Sequence, residues 1–157
     1  MTLTNEKPAL ESPSCGVVVP ARVYLDDLDG FGMLNHVEYA RLFDHAVIDY
    51  WTDAGWVLDP TESVQVIRDL HLTFHQPITQ VGDVAVHLWV EQAGRTSVNY
   101  RFRILSSDQQ TLHAEGTRRL INLDPATLRP VPLTDEQWAF ATPLLAPDVV
   151  RPSPDAR

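Results

Sequence analysis

The chain has one cysteine, Cys15, in 157 residues, so no disulfide can form within it and nothing demands an oxidising compartment. It has one lysine, Lys7; the rest of its 12 basic residues are arginines, against 21 acids, for a formal net charge of −9. A balance so acidic, with a sequence pI near 4.9, argues against nucleic acid and against anionic membrane surfaces, both of which are held by clustered basic side chains. No apolar run approaches the roughly 18 residues needed to cross a bilayer. The first residues, MTLTNEKPALESPSCG, have neither the basic start nor the apolar centre of a signal peptide. These exclusions leave a cytoplasmic protein as the expectation. Three motifs are also missing: CxxC, HExxH and the GxSxG nucleophile elbow. Six histidines do not replace them. His36 and His45 fall on opposite sides of one helical stretch, and His71 and His75 read as half-exposed strand positions. No metal site and no cofactor are expected.

What is present reads as one globular domain. Hydrophobic residues make up 44% and charged residues 21%, enough to build a core. Residues 1–15 are polar and hold Pro8 and Pro13. Residues 142–157 carry Pro143, Pro147, Pro152 and Pro154, which oppose helix and central strand alike. Both ends are expected to be tails, the last ten or so residues poorly ordered, around a domain spanning 16–141. Within it, 17–25 reads as a strand whose Pro20 suits an edge. An acidic glycine-bearing loop follows at 26–32.

Tyr39, Ala40, Phe43, Ala46, Val47, Tyr50 and Ala54 then recur at helical spacing. Leu42, Ile48 and Trp51 widen that stripe, so the helix is expected to be wrapped on most sides. Asn35 suits the N-cap, Glu38 a capping box, Leu34 with Tyr39 a hydrophobic staple and Gly55 the C′ position. Beyond it the period switches to two around Leu70, Leu72 and Phe74, from Val84 to Val90, from Val98 to Ile104, and over about 111–123. Thr134 with Gln137 caps a short helix, DEQWAFA. One apolar helix needs a sheet to cover it, so the class is α+β. A sheet of this kind also leaves an edge that favours oligomers.

The most informative stretch is YLDDLDGFGMLNHVEY, residues 24–39. Acids crowding a helix start have a plain reading: the helix dipole favours negative charge, and Asp suits turns. They also have a chemical one. The first N–H groups of a helix form an oxyanion site, and a carboxylate beside them can act on a carbonyl bound there. A carboxylate is ionised at pH 7 unless strongly buried.

The run DLDGFGMLNHVEYARLFDHA, Asp27–Ala46, resembles the signature of the 4-hydroxybenzoyl-CoA thioesterase family of hotdog-fold acyl-CoA thioesterases. The resemblance continues through FHQPITQVGD (74–83), GRTS (94–97) and NLDPATLRPVP (122–132), and covers about residues 17–140. It implies a hotdog fold, in which a long central helix is wrapped by a five-stranded antiparallel sheet, here with a short C-terminal helix. It implies hydrolysis of acyl-CoA or acyl-carrier-protein thioesters. Asp29 matches the catalytic carboxylate, nucleophile or base for water. His36 matches the helix position whose backbone N–H polarises the thioester carbonyl. Gly32 fits the loop glycine, Tyr39 a pocket-lining tyrosine, and Asn35 with His36 a variant of the motif. Arg95, Thr96 and Ser97 fall at the turn that contacts the CoA phosphates in relatives, although fewer basic residues stand there in this chain.

The family's habit of placing active sites between subunits implies a homodimer or homotetramer. Two other readings share the fold: a dehydratase or hydratase of acyl thioesters using the His36 side chain with Asp29, and a non-catalytic acyl-CoA-binding module. Arg101, Arg103, Arg118 and Arg119 could meet CoA phosphates, or simply be solvated residues paired with the many acids. Trp51, Trp56, Trp89 and Phe74 are core candidates first and pocket walls second.

Overall fold

The computed structural model describes residues 10, 14–57 and 59–153. Five strands, β1 (Val17–Val23), β2 (Val64–Phe74), β3 (Gly82–Ala93), β4 (Ser97–Ser106) and β5 (Leu112–Leu123), form one antiparallel sheet in the order β1-β3-β4-β5-β2. A long helix, α1 (His36–Asp53), packs against β1, β3 and β4, and a short helix, α2 (Asp135–Ala141), follows the sheet. This is the expected α+β hotdog arrangement. β2 begins at Val64, six residues before the alternation that marks it, because a bulge between Ile67 and Asp69 breaks the period.

The caps fall where the residues place them. Asn35 accepts the Val37 N–H as N-cap of α1. Glu38 does not complete a capping box there; its carboxylate turns to Arg41 instead. At the other end Gly55 takes a left-handed φ of 96° and donates to Thr52, while Trp56 donates to Trp51. That is a Schellman closure. In α2, Thr134 and Gln137 cap one another reciprocally.

Tyr39, Leu42, Phe43, Ala46 and Val47 form the buried face of α1, at i, i+3, i+4, i+7 and i+8. Phe43 stacks on Phe102 of β4 at 4.1 Å. Within one chain the broad apolar stripe of α1 is only partly covered: Val37 and Ile48 are half exposed or more. Strand β2 is similarly bare, with Val66, Ile67, Leu70 and Phe74 all at least 40% exposed. The apolar excess of both elements is therefore uncovered within one chain.

The segment after residue 141 does not hang free. Leu144 is wholly buried, Leu145 bridges Val90 of β3, and the Ala146 N–H donates to the Val90 carbonyl. Thr142–Leu144 form a short 3-10 turn with Pro143 in its first turn, a place proline tolerates, so the prolines exclude neither a helical turn nor packing. The N-terminal tail lies mostly outside the described residues, but Cys15 and Gly16 run against β3. There the His87 Nε2 sits 2.8 Å from the Cys15 carbonyl. A Cβ on Gly16 would meet the Leu88 carbonyl oxygen at 2.2 Å.

Gly116 of β5 is equally confined: an added Cβ would lie 2.1 Å from the His71 carbonyl oxygen and 2.8 Å from the Phe102 ring. Neither neighbour can yield, one being backbone and the other the stacked partner of Phe43. Gly116→Ala should therefore cost about 1–3 kcal/mol, as overpacking does. A thermal melt should show Tm lowered by roughly 3–10 °C; an unchanged Tm would mean that β2 and β5 are not held at this spacing.

Candidate active site

After β1 the chain makes a short 3-10 turn, Leu25–Asp27, and then a tight hairpin into α1. Leu28 bridges Leu34, the Asp29 N–H donates to the Met33 carbonyl at 2.7 Å, and the Gly32 N–H donates to the Asp29 carbonyl at 3.0 Å. Gly32 closes the turn with a φ of 74°, a region that costs glycine little. The Asn35 N–H, immediately before the helix, donates to the Asp27 carbonyl at 3.0 Å. The hairpin thus fixes Asp29 one two-residue strand step, roughly 7 Å, from the point where the chain enters α1.

Asp29 is half-buried. Its Oδ1 accepts the N–H groups of Phe31 (2.8 Å) and Met33 (3.2 Å), while Oδ2 takes no hydrogen bond from the described residues. One oxygen holds the loop's shape and the other remains open to chemistry. At the helix start, the Val37 N–H is spent on the Asn35 side chain and the Glu38 N–H on the Asn35 carbonyl. The His36 N–H has no partner among the described residues, and the His36 imidazole points to solvent. A lone donor at the positive end of an 18-residue helix is what an oxyanion site requires.

Tyr39 completes the floor. Its hydroxyl accepts the Ile78 N–H at 3.3 Å, and the Phe74 ring meets its ring edge-on at 5.1 Å. Burial pushes the hydroxyl's pKa up, partly offset by the Ile78 N–H, so it keeps its own proton to donate. The Leu34 N–H donates to the Ile78 carbonyl, so the 74–83 segment clamps the helix start from outside.

Asp29, Gly32, Asn35, His36 and Tyr39 thus form one continuous unit. Arg95, Thr96 and Ser97 do not join it within one chain. They occupy the β3–β4 turn, where the Gly94 N–H donates to Ser97 and the Leu133 N–H to Arg95. That turn lies at the far end of β3, eleven residue steps or roughly 36 Å from the end beside β1's exit. Of the four arginines, Arg101 pairs with Glu91 and Glu115, and Arg103 lies 5.4 Å over the Trp89 ring. Arg119 is exposed. Arg118 departs from the solvated reading: it is buried, ion-paired to Asp44 of α1 and 4.3 Å over the Phe43 ring. Desolvation pulls its pKa down to about 10.

Sequence reasoning passed over one pair. Asp27, counted only among the crowded acids, is buried. Its carboxylate accepts the Tyr24 N–H at 2.8 Å and is ion-paired to Arg41 on the second turn of α1. The available signal was an arginine six residues after the N-cap on the side that must face the loop. Among the described residues, no group of three or more His, Cys, Asp and Glu could hold a metal ion, and no helix is long and apolar enough to cross a membrane.

The Thioesterase-like superfamily model matches residues 23–141, and the chain belongs to that superfamily. The match spans the hairpin, α1, the four following strands and α2. No curated protein matches by sequence. Among solved structures, the chain is similar to the PA5185 protein from Pseudomonas aeruginosa, with a TM-score of 0.77 and 22% identity over 83% of this chain and 92% of that one. It is also similar to the DHNA-CoA thioesterase from Staphylococcus aureus (0.71, 23%, 80% and 87%). A third similar structure is Slr0204, a 1,4-dihydroxy-2-naphthoyl-CoA thioesterase from Synechocystis (0.74, 16%, 82% and 98%). At these identities the likeness shows a shared fold.

Because the Asn35 side chain competes for a helix N–H next to the free one, Asn35→Ala should leave two donors open at the N-terminus. The expected cost is about 1 kcal/mol of stability, measurable by urea denaturation. No loss would mean that the cap is not formed in solution.

Proposed function

We propose that this protein is an acyl-CoA thioesterase in which the Asp29 carboxylate acts as nucleophile or as general base for water. The free N–H of His36 then receives the carbonyl oxygen of the thioester. The observation that supports this best is the hairpin from Asp27 to Asn35, which binds an open carboxylate oxygen and an unpartnered helix donor into one rigid unit. Attack at the thioester carbon moves an electron pair onto the oxygen, where the His36 N–H and the helix dipole stabilise it. The C–S bond then breaks and CoA leaves as thiolate, a leaving group that needs little protonation. Water supplies the hydroxyl of the free acid, either directly or by hydrolysing an Asp29 anhydride. The imidazole of His36 has no part in this scheme, whereas the dehydratase reading needs it as a side-chain base.

The site is assembled from two copies in this reading. The hairpin tip carries Phe31 at 87% exposure, α1 exposes Val37 and Ile48, and β2 is an eleven-residue edge strand with a row of bare apolar side chains. Long apolar edges are the pairing elements of sheets. Pairing of two β2 strands would satisfy that edge, extend the sheet across a homodimer and set the apolar side chains of the two copies side by side. Arg95, Thr96 and Ser97 could then serve substrate only from another copy. The substrate is a thioester of CoA or of acyl-carrier protein; the names of two structural neighbours make aryl-CoA thioesters a useful part of the panel.

Thiol release from acetyl-, benzoyl-, naphthoyl- and palmitoyl-CoA should be measurable for the wild type, and Asp29→Asn should lower kcat by about 10²–10⁴. Full activity in the variant would remove Asp29 from the mechanism, and no release from any thioester would remove the activity. Light scattering should show the wild type as a dimer or tetramer and Leu70→Lys on β2 shifted toward monomer. A monomeric wild type at micromolar concentration would sink the shared-site reading.

A further inference from the structure

A second cavity opens at the opposite end of α1 from the hairpin. Its volume is about 310 Å³, within the range of small-molecule pockets. Trp51 near the end of α1, Trp56 just beyond it, Tyr100 of β4 and Phe140 of α2 supply aromatic walls. Trp51 stands fifteen residues after His36, roughly 22 Å along the helix axis. Phe43, Tyr100 and Phe102 are fully buried between the two ends, so within one chain the packed core separates this cavity from the Asp29 hairpin.

The walls are pre-formed. Gln137 is fully used, donating to Ser63 and to Asn122 and accepting the Thr134 N–H, which ties α2 to β5 and to the start of β2. Tyr50 adds a bond to the Phe140 carbonyl. Two polar groups of the lining remain unsatisfied: Gln65 Oε1 and Trp51 Nε1 are buried without a hydrogen-bond partner among the described residues. The Trp51 indole faces the Tyr100 hydroxyl without reaching a normal bond. Buried polar atoms left unpaired are uncommon, and one beside an apolar cavity is relieved by a ligand that completes it. On the solvent side stand Asp59, Glu62 and Glu136, all exposed. The Thr61 hydroxyl and N–H hold the Asp59 carboxyl below its ordinary value, so it stays charged. Three carboxylates at the mouth repel anions, which sets this cavity apart from any site for the polyanionic CoA.

We propose that this aromatic cavity is a second ligand site, separate from the thioester site, for an uncharged one- or two-ring aromatic carrying an O–H or N–H donor that reaches Gln65 Oε1. The rings stack among Trp51, Trp56, Tyr100 and Phe140, and the donor supplies the bond that the glutamine lacks.

Four tryptophans give four indole N–H signals in a ¹H–¹⁵N spectrum, which makes the test direct. Phenol added to the full-length protein should shift the Trp51 and Trp56 signals saturably and leave those of Trp89 and Trp138 in place. Benzoate, the same size but anionic, should shift neither. Gln65→Leu should weaken phenol at least several-fold while leaving toluene unaffected, and Val64→Phe should abolish both by filling the space. The proposal is overturned by the absence of a saturable shift, by equal response to benzoate, or by a Gln65→Leu variant that binds phenol as the wild type does. It is also overturned if a non-hydrolysable acyl-CoA competes with phenol, which would make the cavity part of the thioester site.

Discussion

The geometry of the candidate site depends on one buried carboxylate, Asp27. Asp27 receives the Tyr24 N–H and the Arg41 guanidinium through its side chain, and the Asn35 N–H through its backbone. Those three contacts join the exit of β1, the second turn of α1 and the helix N-cap. A charge this well buried is tolerable only because it is paired and hydrogen-bonded. Because Arg41 is half exposed, the pair keeps some solvation and avoids the full cost of burial. The outcome is directional: the hairpin cannot swing away from the helix without stranding the Asp27 charge. Asp29 inherits its position from this constraint, since Asp27 and Asp29 lie on the same arm of the hairpin. An open carboxylate oxygen and a free amide are thus held at fixed spacing by a neighbour two residues away.

How much of this was legible in the sequence follows the range of the interactions. Local signals were readable: the Asn35 cap, the Gly55 stop, the Thr134–Gln137 capping box and the alternation in β3, β4 and β5. Each depends on a few consecutive residues. The start of β2 was not readable, because a bulge between Ile67 and Asp69 resets the alternation. Glu38 was assigned to the cap and is held by Arg41 instead, a choice between two short-range partners that spacing cannot make. Arg118 looked like any other strand arginine. Its burial is decided by its register opposite Tyr100 and beneath Phe43 and Asp44, contacts from two other elements. The Pro-rich C-terminal stretch misled in another way: proline forbids a hydrogen-bond ladder, but Leu144 packs without one.

For the site itself, Asp29, Gly32, Asn35, His36 and Tyr39 fall within eleven residues, so their grouping was close to a local property. Arg95, Thr96 and Ser97 were attached to them by resemblance alone, and the β3 register puts the length of a strand between the two groups. That separation is informative. A site that needs both must draw them from different copies, and the exposed apolar side chains of β2 and α1 are where such copies would meet. Composition had already set an apolar excess on α1 beyond what one sheet face can cover. The excess is real: within one chain Val37 and Ile48 stay uncovered.

The Arg118–Asp44 pair shows why α1 sits where it does. The helix packs on β1, β3 and β4 through apolar side chains, which are tolerant of small rotations because dispersion and area burial have little directionality. Toward β2 the Tyr39 ring meets Phe74 edge-on, and Ala114 and Leu120 of β5 belong to the same core, contacts of the same non-directional kind. The guanidinium of Arg118, trapped over the Phe43 ring and bonded to Asp44, supplies the directional contact on that side. Such a pair adds little net stability over well-packed apolar residues, yet breaking it leaves a buried charge behind. It therefore acts on where the helix rests more than on how strongly. The same helix presents the His36 N–H at one end and the Trp51 wall of the aromatic cavity at the other. One ion pair near its middle thus fixes the orientation of both ends, while Asp27 and Arg41 fix the N-terminal one again. Two charge pairs along eighteen residues leave α1 little freedom to roll, which is the rigidity that an unassisted amide donor needs if it is to meet a carbonyl oxygen at hydrogen-bond distance.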